Sequence, residues 1–488
     1  MGISEPLAVG PDVLHGHVAG RRRRRRFLYH RSWLINTLML GAGDGLALTV
    51  AILLAGAVRF LFREGHMLQE WFALLPLAWW VGAGVARLLP GWGLGAVEGL
   101  RRIVIVLGLV FGGALVTLFL LKQSGSASRL TLSIAFVNSL VLVPFTRSLI
   151  KQWLIRHDSW GVPTVIYGAG QTGRRVIRAL REEAGLGYLP VAVYDDDPET
   201  WGERVEGLPV LGGIGGGGGV APVAVVALPG LPRQRLAELI DGPLQHHRQV
   251  IIIPDLFEIP SLWVQSRSLG GVLGLEITQT LADPLVQAAK RALELVVVVL
   301  TLPLWAPLCL LVAAAIWLED RHAPFFYQER VGRRGRRFRV CKFRTMVPDA
   351  ERVLEEHLAR DPALRREWET TFKLRQDPRL TRVGRWLRRY SLDELPQLFN
   401  VLRGEMSLVG PRPLPAYHHA ELPVRIRQLR TGVRPGMTGL WQVSGRSDIG
   451  NEGMIRWDAF YVRNWSIWLD VVILVRTLRV VLRGAGAY

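Results

Sequence analysis

The chain has 488 residues, 49% of them apolar and 21% charged, and its 60 Lys and Arg outnumber its 41 Asp and Glu to give a net charge of +19. This apolar content excludes general disorder, because disordered chains have too few apolar residues to build a core. The charge predicts anionic partners, and the 17 Trp with a positive mean hydropathy favour lipid or phosphorylated metabolites over nucleic acid. Two cysteines, Cys309 and Cys341, are too few for a disulfide framework and fit a reducing compartment.

Four apolar runs follow a basic segment at 1–33. They are Leu34–Val58, Trp71–Ala86, Ile103–Leu121 and Leu130–Thr146. A helix rises about 1.5 Å per residue and the hydrocarbon layer is about 30 Å thick, so the first and third runs are long enough to span it. Arg87 and Arg129 at the ends of the two shorter runs can snorkel. We therefore predict four transmembrane helices within 34–150, in preference to buried helices of a soluble core.

Basic residues set the predicted orientation of these helices. The six arginines Arg21–Arg26 precede the first helix, and Arg101 and Arg102 lie between the second and third. Because positive charge favours the cytoplasmic side, the N-terminus is expected there, and an even number of crossings returns the chain to it. A nucleic-acid-binding arm is the alternative interpretation of the arginine run, and orientation with lipid contact is favoured over it.

Residues 160–275 have the pattern of a small parallel-sheet, Rossmann-like domain. A strand at Val162–Tyr167 is followed by Gly168-Ala-Gly-Gln-Thr-Gly173, and a second strand ends at Asp195. This is the spacing of a dinucleotide-binding fingerprint. Further apolar strands are predicted at Val223–Leu228 and Val250–Ile253. The motif is weak by itself, and tight strand–helix packing is the favoured explanation of its glycines.

A fifth apolar run, Leu295–Leu318, differs from the first four because Pro303 and Pro307 interrupt it. Proline removes a backbone donor, and the part after Pro307 is only about 18 Å long as a helix. A full crossing would also place the basic remainder outside. We therefore predict a re-entrant membrane hairpin over 285–318, with a fifth spanning helix as the alternative.

The segment with the richest chemistry contains Ser391-Leu-Asp-Glu394. Ser391 and Glu394 have the spacing of a capping box, which predicts Asp393 in the first turn of a helix. The helix N-terminus, with Arg388 and Arg389 just upstream, is expected to keep Asp393 ionised, as a carboxylate nucleophile must be. Glu394 offers a hard oxygen ligand for Mg²⁺. From these residues alone, a capped helix with a solvated acidic turn is the favoured alternative.

Neighbouring basic residues are open to two interpretations as well. Arg412 lies between two prolines and is either a phosphate ligand or part of a rigid turn. Lys342 and Arg344 either bind substrate phosphate or form a basic strand on anionic lipid. The C-terminal stretch Trp465–Leu482 is either an interfacial amphipathic helix or a core helix with basic edges.

Several long strings in fixed order carry a resemblance to a known family. They are KFRTM, SLDELPQLFNVLRGEMSLVGPRP, RPGMTGLWQVSGR and a final GAY. With these strings, residues 285–488 resemble the bacterial sugar transferases, the polyprenyl-phosphate hexose-1-phosphate transferases. The GAGQTGR string and the final GAY look most like the undecaprenyl-phosphate galactose phosphotransferases. The resemblance implies an α-helical membrane protein plus α/β: four transmembrane helices, a Rossmann-like domain, a re-entrant helix and a mainly α catalytic domain at 319–488.

The resemblance also implies a reaction. Asp393 would attack the sugar-bearing phosphate of a UDP-hexose and release UMP, and undecaprenyl phosphate would then take the hexose-1-phosphate from Asp393. Glu394, with Asp393, matches the Mg²⁺ site. Galactose is the expected hexose, with glucose as the alternative. Such a step begins O-antigen, capsule or exopolysaccharide synthesis at the bacterial inner membrane, with the soluble domains in the cytoplasm.

The remaining expectations from the resemblance concern single positions and partners. Arg388 and Arg412 match phosphate-contact positions, and Lys342, Arg344 and Arg446 are further candidates for substrate binding. Pro307 matches the proline that breaks the re-entrant helix, although Ala306 stands where the family usually has serine. Membrane lipids and a second copy in a homodimer are the expected partners, and nucleic acid is not.

Two other function classes fit parts of the pattern. A membrane-bound nucleotide-sugar dehydratase or epimerase would need a Tyr-x-x-x-Lys pair, and no tyrosine in the chain has lysine four residues later. A non-enzymatic export or scaffold protein would not need the Asp393–Glu394 dyad in its full motif. Both classes are therefore disfavoured.

Overall fold

The computed structural model describes residues 11–62, 70–120, 129–216, 221–253, 264–269, 272–277, 281, 284–361, 364–366, 368, 374, 377–444 and 450–483. The chain forms two compact units, 1–258 and 259–488. The helices of the first unit are α1 (Pro11–Phe62), α2 (Leu74–Val85), α3 (Ala96–Leu120), α4 (Arg129–Arg156), α5 (Gln171–Glu182) and α6 (Arg233–Asp241). Its strands are β1 (Val162–Tyr167), β2 (Tyr188–Tyr194), β3 (Arg204–Val205), β4 (Leu208–Pro209), β5 (Val223–Val226) and β6 (Gln249–Ile252).

All four predicted apolar runs near the N-terminus are helical. Three of them contain helices long and apolar enough to cross a membrane, at His30–Leu61, Ala96–Leu120 and Arg129–Arg156. The helix in the second run is shorter than predicted: α2 has only 12 residues, about 18 Å of helix, which is too short to span the hydrocarbon layer. The fourth candidate span of the described chain is instead Leu302–Asp320, which lies in the second unit.

A buried ion pair joins α1 to α4 inside the helical bundle. Arg147 donates to both carboxylate oxygens of Asp44, at 2.8 and 2.6 Å, and its Nη1 donates to the Leu88 carbonyl at 3.1 Å. The Trp79 indole donates to the same carboxylate at 3.0 Å. Charges inside a membrane bundle persist only when paired in this way, so Asp44, the one charged residue of the first run, has a structural partner.

The predicted parallel sheet is present, with strand order β2–β1–β5–β6 and every pair parallel. The two central strands, β1 and β5, are almost wholly buried because both faces of the sheet are covered there. Val165 and Tyr167 face a core that includes Leu239 of α6, and Ile166 faces one that includes Ile177 of α5. The sheet ends at β6, earlier than the predicted boundary of 275. The antiparallel hairpin at 264–277 belongs to the second unit.

The glycine motif after β1 is built for close packing. A Cβ on Gly173 would lie 1.9 Å from the Gly168 carbonyl oxygen, and Gly168 has a φ of +113°. Asp195, after β2, accepts a hydrogen bond of 2.6 Å from the Ala169 amide. One amide of the loop is therefore satisfied from within the domain, which supports packing over cofactor binding as the role of these glycines.

Gly173→Ala should lower the stability of the protein by about 1–3 kcal/mol, because the new methyl group forces the loop away from the start of α5. Gly170→Ala is the matched control, since a Cβ there meets no heavy atom within 4 Å. Thermal unfolding of the purified full chain measures both. Equal midpoints for the two variants would contradict this packing role.

The second unit contains helices α7 (Pro284–Leu300), α8 (Leu302–Asp320), α9 (Ala350–Arg360), α10 (Arg382–Arg389), α11 (Gln397–Arg403), α12 (Ala416–Glu421), α13 (Val424–Thr431), α14 (Leu440–Val443), α15 (Gly450–Arg463) and α16 (Ile467–Arg483). Its strands are β7 (Val264–Leu269), β8 (Val272–Ile277), β9 (Phe325–Val331), β10 (Arg337–Phe343), β11 (Ser407–Val409) and β12 (Gly436–Thr438). β9 and β10 form an antiparallel hairpin, and β11 pairs with β12 in parallel.

The apolar run of this unit is interrupted at Thr301, between α7 and α8, and not at Pro307 as expected. Pro303 lies in the first turn of α8, where a missing amide hydrogen costs least, and Pro307 lies inside α8. Side chains also bond carbonyls at the interruption, one of which, that of Val297, already accepts from the Thr301 amide at 3.0 Å. The Thr301 hydroxyl bonds the Val297 carbonyl at 2.8 Å, and the Trp305 indole bonds the Val298 carbonyl at 3.1 Å.

Candidate active site

The C-terminal end of α8 holds two elements of the site in place. The Glu319 carboxylate accepts hydrogen bonds from the first two amides of α10, those of Arg382 at 2.7 Å and Val383 at 3.2 Å. Asp320 forms a bidentate pair with Arg344, at 2.5 and 2.6 Å, just after β10. Both carboxylates therefore fix the site to the end of an apolar helix.

The predicted capping box at Ser391 does not form. Ser391 has a left-handed backbone (φ +53°) and its side chain caps no amide, and Leu392–Glu394 is a single 3₁₀ turn between α10 and α11. The Glu394 side chain is engaged elsewhere and so does not reach back to the Ser391 amide, which bonds the Arg388 carbonyl at 3.0 Å. A non-glycine residue in this conformation is strained, and such strain is typical of functional sites.

Glu394 is held by two cations from different elements. Lys342 of β10 contacts its Oε1 at 2.7 Å, and Arg412 contacts the same oxygen at 3.0 Å. Burial alone raises the pKa of this carboxyl group, but Arg412 and Lys342 outweigh burial and hold the pKa at about 2. Glu394 is therefore an ionised, immobile side chain.

Asp393 has a different environment from its neighbour. Within the described part of the chain its carboxylate makes no hydrogen bond or ion pair, and it lines a cavity. Burial raises the pKa of Asp393, and the Glu394 charge adds to this, whereas Lys342, Arg388 and Arg412 lower it. The dyad thus contains one fixed carboxylate and one that faces open space among cations.

The cavity has a volume of about 900 Å³, within the range of small-molecule sites. Asp393, Arg388 and Lys342 lie together in its wall. Its other lining residues are Phe326, Gln328, Phe343, Arg344, Thr345, Met346, Val347, Pro348, Asp349, Ala350, Glu351, Arg352 and Arg379. A wall with this many cations suits a phosphorylated ligand.

Arg388 is oriented by a residue of the KFRTM string whose role was not predicted. Its Nε donates to the Thr345 hydroxyl at 3.1 Å. Arg379, in the same cavity wall, is held by the Asp377 carboxylate at 2.8 and 2.6 Å. Burial lowers the pKa of Arg388, as does Arg379, while Asp393 and Asp377 raise it. The only sequence signal for Arg379 was its place in a basic stretch.

The RPGMTG motif has a backbone role that was not predicted. Its strand β12 pairs with β11, and the Gly410 amide donates to the Thr438 carbonyl at 2.9 Å. A Cβ on Gly436 would lie 2.1 Å from the Gly410 nitrogen, so the two backbones approach as closely as they do only because both residues are glycine. This contact places the loop that carries Arg412.

The structure thus brings together five of the predicted site residues, which are Asp393, Glu394, Lys342, Arg388 and Arg412. Arg344 lines the cavity, but its guanidinium is bound to Asp320 and to the Ala323 and Met346 carbonyls, which indicates a structural role. Arg446 lies outside the described residues.

A further cation, Arg330 of β9, was also missed. Burial lowers the pKa of Arg330, as does the nearby Arg412, while Glu394 raises it. The Gln328 side chain accepts a hydrogen bond from its guanidinium at 2.5 Å. Arg330 therefore adds to the positive charge around the dyad.

Two family profiles match this chain. One, described as bacterial sugar transferase, matches residues 285–484, and the other, described as CoA-binding domain, matches residues 92–216. The first match contains every predicted site residue, and the second covers part of the membrane helices and the start of the parallel sheet.

Relatives of known designation match most of the chain. It is 37% identical over 366 residues to a UDP-galactose-lipid carrier transferase of Erwinia amylovora, covering 72% of this chain and 74% of that protein. It is 37% identical over 357 residues to an undecaprenyl-phosphate galactose phosphotransferase of Salmonella typhimurium, with 72% and 74% covered. A UDP-glucose:undecaprenyl-phosphate glucose-1-phosphate transferase of Xanthomonas campestris is 31% identical over 416 residues, with 80% and 82% covered.

Proposed function

Because the chain belongs to the bacterial sugar transferase family, we propose that it transfers hexose-1-phosphate from a UDP-hexose to undecaprenyl phosphate and releases UMP. The observation that carries this proposal is the position of Asp393. Its carboxylate lines a large cavity beside Lys342 and Arg388, and it is not committed to any ion pair within the described chain. An uncommitted carboxylate among phosphate-binding cations is suited to attack on phosphorus.

The proposed reaction has two steps, and each forms one bond to phosphorus and breaks another. A carboxylate oxygen of Asp393 attacks the sugar-bearing phosphorus of the donor, and the bond to the UMP oxygen breaks, with its electron pair leaving on UMP. A phosphate oxygen of undecaprenyl phosphate then attacks the same phosphorus and displaces the Asp393 carboxylate. The product is undecaprenyl-diphospho-hexose, and Asp393 is regenerated.

The cations around Asp393 have separate roles in this scheme. Arg388 is oriented by Thr345 and stabilises charge on the transferring phosphoryl oxygens. Lys342 and Arg412 are held by Glu394, so their charges are in place before the donor arrives. Such preorganisation lowers the barrier because no reorientation is needed during the reaction.

Mg²⁺ fits this site as an ion shared with the donor. Among the described residues no group of three His, Cys, Asp or Glu could hold a metal. Asp393 would provide a carboxylate oxygen and Glu394 would provide its Oε2, since Lys342 and Arg412 both contact Oε1; Mg²⁺ is commonly bound by one or two carboxylates together with substrate phosphates. When bound, it would neutralise developing charge on the diphosphate.

We also propose that α7 and α8 form a re-entrant hairpin at the inner membrane, and the contacts at its two ends support the re-entrant path. At its start, Lys290 pairs with Asp470 at 2.5 Å, and at its end Asp320 pairs with Arg344. Near the interruption, the Trp305 ring lies 5.1 Å from that of Phe399. The two ends both contact the catalytic part of the same unit, as expected of a hairpin that enters and leaves on one side. The site then lies where a water-soluble donor and a lipid-borne acceptor can both reach it. The homodimer stays a prediction.

Galactose is the proposed hexose, because the two relatives at 37% identity are designated for galactose and the one designated for glucose is 31% identical. The test is to supply membranes containing the protein with undecaprenyl phosphate and a panel of UDP-sugars, and to follow UMP. We expect UMP release with UDP-galactose, and we expect it to be faster than with UDP-glucose. Chelation should stop the release, and added Mg²⁺ should restore it. If no UDP-sugar yields UMP, the proposed function is wrong. If UDP-glucose is preferred, the function stands and only the choice of galactose is wrong.

A further inference from the structure

A buried ion pair lies behind the loop that carries Arg412. Arg430 of α13 donates through Nη1 to the Asp458 carboxylate of α15, and the two residues are only 6% and 2% exposed. The second terminal nitrogen of Arg430, Nη2, donates to the main-chain carbonyl oxygen of Arg412 at 2.6 Å. One buried guanidinium thus links a carboxylate to the backbone of a site residue.

Stability alone does not account for this pair. Replacing a buried ion pair by apolar side chains of similar volume is often neutral or stabilising, because each charge loses its hydration on burial. Two apolar residues would fill the same space between α13 and α15. They would not donate a hydrogen bond to the Arg412 carbonyl. That hydrogen bond is what the charged pair provides and an apolar pair would not.

Backbone hydrogen bonds hold the loop on either side of this contact. Upstream, the Pro411 carbonyl accepts from the Gly436 amide at 2.9 Å. Downstream, the Leu414 carbonyl accepts from the Val331 amide at 3.0 Å. Pro411 and Pro413 themselves have no amide hydrogen to donate. Among the described residues, the Arg430 contact is therefore the link that fixes the Arg412–Pro413 peptide, whose nitrogen cannot donate.

The position of this peptide determines where the Arg412 guanidinium lies. Its Nη2 contacts Glu394 Oε1 at 3.0 Å, next to Lys342. Displacements of about 1 Å in a positioned group can cost about 100-fold in rate. A shift of the Arg412 carbonyl would move the guanidinium relative to Glu394 and, in the proposed reaction, relative to the phosphate being transferred.

We propose that Arg430, held by Asp458, is a positioning residue for the transfer reaction, and that it acts through the Arg412 backbone. This inference rests on the proposed function, since it concerns the same reaction. Arg430 itself does not touch the dyad. Its effect on the rate therefore depends on the side chain at 412.

The test is a double-mutant cycle measured as single-turnover UMP release in the full-length protein. The paired replacement Arg430→Met with Asp458→Leu removes both charges and leaves no unpaired buried carboxylate, so the fold is kept. We expect it to slow release about 10- to 100-fold in the parent protein, and less than about twofold when Arg412→Met is already present. Arg425→Met is the matched control, because Arg425 is an exposed arginine of the same helix.

Thermal unfolding of each variant separates folding from rate. An equal slowing in the parent and in the Arg412→Met background would overturn the proposal, because it would assign the pair a general structural role. An unchanged rate for the paired replacement in the parent would overturn it too. If the proposed function itself is wrong, the parent protein will release no UMP from any UDP-sugar, which distinguishes that outcome from the two above.

Discussion

Asp393→Asn should abolish transfer, with a loss of at least about a thousandfold in UMP release. The amide has nearly the same size as the carboxylate but no negative charge to attack phosphorus, so neither the covalent intermediate nor the product can form. The cations of the cavity wall stay in place, because in the described chain none of them is held by a hydrogen bond to Asp393. The donor should therefore still bind while turnover stops.

Intact-protein mass spectrometry after incubation with the donor alone is the direct measurement. The parent protein should gain the mass of one hexose phosphate, and the Asp393→Asn variant should gain none. Asp349→Asn is the control, since Asp349 is an exposed carboxylate on the same cavity and its loss should change the rate less than about threefold. Loading of the Asp393→Asn variant would show that another residue is the nucleophile.

Glu394→Gln should give the second largest loss, about 100-fold or more in turnover, or about 2.7 kcal/mol. The side chain keeps its size but loses the charge that holds Lys342 and Arg412 at 2.7 and 3.0 Å. Truncating one partner of a buried hydrogen-bonded charge group typically costs 2–5 kcal/mol. The rate at which Asp393 is loaded should fall as well, because Lys342 and Arg412 would no longer be held in place to stabilise the phosphate being transferred.

Loading kinetics with the donor alone measure this effect. Glu329→Gln is the matched control, because Glu329 lies on β9 in an exposed pair with Arg337, and such surface pairs contribute little. Glu394→Gln should load much more slowly than the parent, and Glu329→Gln at the parent rate. A Glu394→Gln variant that kept more than a third of the parent rate would contradict the role assigned to this carboxylate.

The parts of the fold that depend on local pattern could be predicted from the sequence. The parallel strand at Val162–Tyr167 has its predicted limits, since an apolar strand followed by a glycine turn is a short-range signal. The apolar runs are helical as predicted, but the helices have other limits: α1, α3 and α4 extend beyond their runs and α2 is shorter than its run. The choice of Asp393 and Glu394 as candidate site residues depended on long motif strings, because two adjacent acidic residues by themselves are also typical of a solvated turn.

The tertiary structure decided the contacts between residues that lie far apart in the chain. Lys342 and Glu394 are 52 positions apart, so no local pattern could show that Glu394 is held and Asp393 is not. That pairing also removed the capping box that the spacing of Ser391 and Glu394 predicted. Arg344 was indistinguishable from Lys342 as a phosphate ligand until Asp320 was found to bind it.

The sequence by itself therefore determined which segments form apolar helices, which form the parallel sheet and which family the C-terminal part resembles, because apolar periodicity and motif order are properties of neighbouring residues. The tertiary structure alone decided where the apolar run of the second unit is interrupted, which carboxylate of the dyad faces the cavity and which side chain bonds the Arg412 backbone. Those features depend on side chains that meet only after folding, where the charge and hydrogen-bond partners of each group are set by elements distant in the chain.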